Sequence, residues 1–189
     1  IEPLTGGLEI GDALAIHIFV GVKETAIGFT GFIDGENGRV LNAGLGAGIG
    51  GLLADRMATK IGYRWGYRLV PIISLPLAGL LLLLTVSVSA PYAAVLALMA
   101  TFFMIELNEG PFWAATMRVA RSDTGAATGV LNTGGNFAGM VSAPIIGALS
   151  GAGNWNATFV IGAAFAFVGA ACWLAIDPDR RVVSAPSAV

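Results

Sequence analysis

The chain has 189 residues, of which 56% are hydrophobic and 12% charged, about half the charged share of a typical soluble domain. A water-soluble globule of this composition would lack the polar residues to cover itself, and a formal net charge of −2 provides no basic field to draw nucleic acid. The single cysteine, Cys172, excludes an internal disulfide framework and a multi-cysteine metal site, and reads as a small buried hydrophobe.

Residues 1–39 match a membrane span poorly. Their apolar run, 13–22, holds His17 and is followed directly by Lys23 and Glu24, with Asp34 and Glu36 beyond. A degenerate first helix or an interfacial segment is expected there, with His17 packed rather than ligating. The chain opens on Ile1 with no basic stretch ahead of that run, so it reads as a fragment or processed product without an ordinary signal peptide. Residues 40–54 are short and glycine-dense, with GLGAGIGG at 44–51, and extend back toward residue 35 to make a further span.

A hydrocarbon core about 30 Å thick needs about 20 mostly apolar residues as helix, because lipid offers the backbone no other hydrogen-bond partner. Residues 69–89, with five leucines in a row at 80–84 and no charge, meet that test. Residues 92–117 follow, carrying Glu106 and Glu109, and then residues 125–149, carrying Asn132 and Asn136. Residues 155–176 are again uncharged. The expected fold is therefore an all-α, polytopic transmembrane bundle of five to six spans, occupying residues 40–177, with a cytoplasmic tail at 178–189.

Orientation follows from the connections, since short cytoplasmic loops collect Lys and Arg. The loop 55–68 holds Arg56, Lys60, Arg64 and Arg68; the turn after residue 117 holds Arg118 and Arg121; the tail holds Arg180 and Arg181. The alternate turns, 87–91 and 150–154, carry no charge. Five successive spans thus alternate correctly, which places the C-terminus on the cytoplasmic side of the cell (inner or plasma) membrane.

Helices in lipid associate through small residues and side-chain hydrogen bonds. The pairs Gly44/Gly48, Gly46/Gly50, Gly125/Gly129 and Gly135/Gly139 accordingly mark helix contacts, and Pro71, Pro76, Pro111 and Pro144 mark sites of kinking. Charged groups inside a span cost a few kcal/mol on insertion scales, about 2.5–3.5 each, and usually face a cavity, a partner or a proton path. Glu106, Glu109 and Trp113 fall at i, i+3 and i+7, on one face of one helix. That face is expected to line a solvated cavity in which a glutamate is reversibly protonated; the alternative is an interfacial or amide-held pair. Thr128, Asn132 and Asn136 form a second polar stripe, suited either to substrate or to a neighbouring helix. No H-E-x-x-H, G-x-S-x-G or G-x-x-x-x-G-K-[ST] pattern occurs, and no spacing suggests metal ligands, so neither an enzyme nor a cofactor is expected.

The stretch GPFWAATM (110–117), the basic turn after it and TGVLNTGGNFAGMVSAPIIGAL (128–149) resemble the tenth and eleventh helices of the anion:cation symporter family within the major facilitator superfamily. WLAIDPDR (173–180) is similar to that family's exit from its twelfth helix, and GGLLADRM (50–57) to the glycine-acid-arginine motif after its eighth. The resemblance implies the C-terminal half, helices 7/8 to 12, of a carrier that moves a small organic anion such as a sugar acid or aromatic carboxylate. Proton or sodium would be the coupling ion, and a missing N-terminal six-helix half the partner, within the lipid bilayer. It further implies that Trp113 and Asn132 face the central cavity as substrate contacts and that Asp55 and Arg56 form a cytoplasmic gating motif; Asn136 and Glu109 as substrate contacts, and Glu109 and Glu106 as proton-coupling candidates, are expectations from the residues themselves. The segment ELNE (106–109) is more acidic than that family's pattern, and the rival reading is a non-transporting assembly or regulatory subunit, or an inactive truncated fragment.

Overall fold

A computed structural model describes the backbone of residues 35–179 and the side chains of residues 43–179; the expectations for residues 1–34, His17 included, and for the tail beyond 179 lie outside the described residues. Within that range the chain is helical: α1 (Gly35–Ile61), α2 (Tyr63–Ser87), α3 (Pro91–Glu106), α4 (Glu109–Ala120), a short 3-10 turn (Arg121–Asp123), α5 (Thr124–Gly151) and α6 (Trp155–Trp173). No strand occurs among the described residues. The all-α membrane bundle read from the sequence is the architecture found.

Among the described residues, three stretches are long and apolar enough to cross a membrane: Tyr63–Ser87, Pro91–Gly151 and Trp155–Trp173. The middle one, at 61 residues, would be about 90 Å as one helix, three times the core it has to cross. It is instead divided at Leu107–Asn108 and again at the 3-10 turn. Helix α3 has 16 residues and α4 has 12, which makes them about 24 Å and about 18 Å long, so only the two in tandem cross the bilayer. The division at Leu107–Asn108 therefore sits at membrane depth, where irregular backbone is tolerated only if protein encloses it. Leu107 and Asn108 are both buried.

From the sequence, 92–117 is expected to be one span, kinked at Pro111; the structure divides it into two helices. Pro111 contributes to the difference: it has no N–H to return to the Leu107 carbonyl, which weakens the ladder there, and at this point the chain divides, whereas α2 continues through Pro71 and Pro76 and α5 through Pro144. In the first turn of a new helix the same missing donor costs nothing, because those N–H groups have no intrahelical partner anyway. A second correction concerns Arg68, assigned to a loop from its basic neighbours. Helix α2 begins at Tyr63, and Arg68 lies a turn and a half inside it, buried. Glycine makes this early start feasible: Gly62 joins α1 to α2 with φ of 90°, a conformation that suits a residue without Cβ, and Gly66 lies directly on the backbone of Ala58.

Helix α2 is the hub, packing along α6, α3 and α1, while α1 also runs across α3 and α4. The α1 crossing is made by backbone rather than side chains. A Cβ added at Gly46 would sit 2.6 Å from the Glu106 Cβ, one at Gly110 would sit 2.5 Å from the Gly51 Cα, and one at Gly50 would strike the Leu107 carbonyl. Of the glycine pairs read as contacts, Gly46/Gly50 is this crossing, whereas Gly44, Gly48, Gly125 and Gly129 face open space. Helix α5 touches only α4, α6 and the 3-10 turn to any extent. At the opposite end of α5, Gly153 (φ 74°) turns the chain and the Asn154 side chain accepts from the Ala157 N–H to cap α6.

Because the Leu107 backbone cannot retreat from a new Cβ, Gly50→Ala is expected to cost about 1–3 kcal/mol of stability by overpacking. Gly48→Ala, two residues away and facing open space, is expected to be neutral or slightly stabilising through higher helix propensity. Thermal unfolding of both variants in one detergent checks the contrast.

Candidate functional site

The polar residues read as functional collect around the α3–α4 division, and their grouping differs from the single face expected of a continuous helix. Glu106 ends α3, is 3% exposed, and lies under Gly46 of α1. Glu109 opens α4, half-buried, and its Oε2 accepts a hydrogen bond from the Trp113 indole Nε1 at 2.6 Å, one turn on. The indole is held in turn by an edge-on contact with Phe112, ring centroids 5.4 Å apart at 78°. Beneath it lies a core cluster that includes Leu75, Phe112, Leu131, Ala170 and Trp173. The two acids thus belong to different helices, with only Glu109 paired to Trp113.

Between them, Asn108 is fully buried. Its Nδ2 donates to Ser74 Oγ of α2 at 3.0 Å, to the Met104 carbonyl at 3.0 Å and to the Ile105 carbonyl at 2.9 Å. Those carbonyls are among the last of α3, where intrahelical donors run out. The Asn108 Oδ1 is buried without a hydrogen-bond partner, alone in this among the side-chain atoms of the described residues. The sequence alone does not single out Asn108. The usable signal was Pro111 three residues on, which predicts stranded carbonyls upstream and a need for a side-chain donor.

Asn132 and Asn136 are exposed. The face of α5 packed in the bundle is formed by Leu131, Gly134 and Gly135, so the asparagine stripe is not packed within it. Four-residue spacing fixes that these amides share a face; it leaves open which way the face turns. Thr128 donates to the Gly125 carbonyl of its own helix at 3.0 Å.

At the basic end of the bundle, the Tyr67 hydroxyl donates to Asp55 Oδ1 at 3.3 Å, while Arg56 is exposed. The segment after α6 docks here. Arg68 Nε donates to the Ile176 carbonyl, and its guanidinium lies 5.8 Å from the Trp65 ring centroid. Arg64 pairs with Asp177 at 3.7 Å and Arg118 with Asp179 at 3.2 Å, the Arg118 guanidinium stacked 3.5 Å from the Tyr63 ring centroid. The IDPD motif noted in the sequence is therefore a tie between α2, α4 and the end of α6.

A bundle of broken and unbroken apolar helices with acids and an indole at its interior division is the architecture of a multi-pass membrane protein. A family profile described as Major Facilitator Superfamily matches residues 18–188, and the chain belongs to that superfamily. It is similar to the probable sulfoacetate transporter SauU of Cupriavidus necator, with 37% identity over 92 residues. That match covers 48% of this chain and 21% of the relative's length, so the chain corresponds to only part of such a protein.

Arg68→Met is expected to lower stability by about 2 kcal/mol, because it strands the Ile176 carbonyl without its donor. Arg64→Gln, which disrupts an exposed pair, is expected to cost at most about 1 kcal/mol. Denaturation of the two variants side by side measures the difference.

Proposed function

We propose that this chain forms the C-terminal part, helices 7/8 to 12, of a carrier that moves a small organic anion by proton- or cation-coupled symport. Its place is the cell membrane, with the C-terminus cytoplasmic, and its partner is an N-terminal six-helix half. The observation that carries the reading is the Glu109–Trp113 hydrogen bond inside a broken, protein-enclosed helix. The likeness to a relative named for sulfoacetate, itself a small organic anion, supports the substrate class. No enzymatic step is needed.

The geometry suggests how proton and anion could enter together. With Glu109 ionised, its carboxylate occupies the indole N–H of Trp113, and its charge repels an arriving anion. Protonation removes that charge and weakens the bond, since hydrogen bonds to ionised acceptors are roughly twice as strong as neutral ones. The indole is then available to an anionic group of the substrate. Glu109 and substrate compete for one donor, and the proton decides between them. Glu106, buried at the end of α3, is the second coupling candidate. Asn132 and Asn136 would contribute substrate contacts from α5 where the other half faces it, and Asp55 with Arg56 would gate the basic end.

The test is uptake of radiolabelled sulfoacetate into proteoliposomes holding the complete carrier, with and without an inward proton gradient. Glu109→Gln is expected to abolish gradient stimulation while leaving residual uptake. Trp113→Phe is expected to raise half-saturation about tenfold, the equivalent of about 1.4 kcal/mol for a lost charge-assisted contact. Gradient-driven uptake indifferent to both substitutions removes Glu109 and Trp113 from the site. Absence of uptake in every arm, with folded protein, favours the assembly-subunit reading instead.

A further inference from the structure

We propose that Asn108 is the positioning residue of the carrier site: through its tie to Ser74, it fixes α4 against α2 and so sets where the Glu109–Trp113 pair stands. The proposal rests on the carrier reading for its purpose, and on the geometry of the α3–α4 division for its argument.

Three constraints meet at this residue. First, the division would be loose on the α2 side without it. Pro111 gives the Leu107 carbonyl no donor, and the backbone bridges across the junction are limited to a few bonds, among them Asn108 N–H to the Ile105 carbonyl and Phe112 N–H to the Asn108 carbonyl. The side-chain amide adds donors to Met104 and Ile105 on the α3 side. Its own backbone begins α4 on the other. One residue therefore clamps the end of one helix to the start of the next.

Second, the amide's orientation is determined. Turning it over would place Oδ1 against the Met104 and Ile105 carbonyls, two acceptors it cannot bond, so Nδ2 must face α3, and the Ser74 hydroxyl accepts from it there. The orphaned Oδ1 is the cost of that choice, about 1–3 kcal/mol for a buried unpaired acceptor. A leucine of similar size would remove the orphan but would strip the Met104 and Ile105 carbonyls of the amide donor at membrane depth, so the orphan is the cost of holding two α3 carbonyls and the tie to Ser74 at once.

Third, the tie leads to the site and is reinforced there. Ser74 is buried on α2 beside Leu75, and Leu75 belongs to the same cluster as Phe112, the residue against whose edge Trp113 is held. Asn108, Glu109 and Trp113 then follow within five residues of one another on α4. A shift of α2 relative to the division is passed to the indole by two adjacent contacts, one polar and one apolar. From the far side α1 cannot yield, because Gly46, Gly50 and Gly51 already meet α3 and α4 backbone to backbone.

The experiment uses the complete carrier. Ser74→Ala removes only the hydroxyl acceptor, Ser74→Thr restores it, and Asn108→Asp keeps the shape while replacing the donor edge by an acceptor. Two readouts are taken on folded protein: half-saturation and maximal rate for sulfoacetate, and the emission maximum of Trp113, isolated as the difference from Trp113→Phe. Ser74→Ala is expected to raise half-saturation at least fivefold with maximal rate within twofold, and to shift Trp113 emission by several nanometres, with Ser74→Thr returning both. Asn108→Asp, where it folds, is expected to exceed Ser74→Ala in both. A purely structural role lowers the unfolding temperature and leaves half-saturation and emission at wild-type values in the surviving folded protein; that outcome overturns the proposal. Should the wild-type carrier take up no sulfoacetate, the substrate reading fails by itself, and the emission of Ser74→Ala alone decides: unchanged emission still overturns the positioning role.

Discussion

Backbone groups at membrane depth have to be satisfied by protein, and in this chain that requirement falls on two residues, Leu107 and Asn108. A helix broken in lipid would expose carbonyls at a cost of several kcal/mol each. The bundle meets the demand from three sides. Asn108 supplies donors to the carbonyls from within, Ser74 of α2 accepts from the same amide and anchors it, and the glycines of α1 lie directly against the remaining backbone. The hub position of α2 and the diagonal path of α1 over α3 and α4 both follow from the need to enclose that short stretch.

The magnitudes rank the interactions. The exposed pairs Arg64–Asp177 and Arg118–Asp179 contribute at most about 1 kcal/mol each. Their use is geometric, holding the chain after α6 against the ends of α2 and α4. The buried groups matter more, because each is costly to leave unpaired: Arg68 against the Ile176 carbonyl at one end, Asn108 against three acceptors in the middle. The division of α3 from α4 and the docked chain end are thus both organised on α2, through side chains six residues apart on it, Arg68 and Ser74.

Much of the fold was legible because lipid makes length and charge decisive. The runs at 69–89, 125–149 and 155–176 needed no tertiary information, and their observed bounds differ chiefly at α2, where a basic, aromatic turn was taken for a loop. The division at Leu107–Asn108 was signalled in part by Pro111, but hydropathy averages over a proline and an asparagine flanked by apolar residues. The site was legible in composition and not in grouping. Glu106, Glu109 and Trp113 share a face only if the helix is continuous, and the division separates the first from the other two. For Asn132 and Asn136 the periodicity held while the direction did not follow from it, since a stripe of amides suits an inner wall and an outer one equally.

The direction of that stripe bears on what covers it. Helix α5 turns Phe137, Met140, Val141 and Ile145 outward, as a helix facing either lipid or another protein would. Asn132 and Asn136 are exposed among them, near the middle of a 28-residue helix and so near the middle of the bilayer. Lipid tails offer an amide nothing, and burying one unpaired in hydrocarbon costs about 4–8 kcal/mol on alkane-like scales. A side facing lipid alone would replace both asparagines with apolar residues at no loss to helix stability. Two amides one turn apart at that depth instead require a polar surface opposite, either protein or a water-filled cavity. The six-helix half proposed as partner would meet that requirement if it lay against α5.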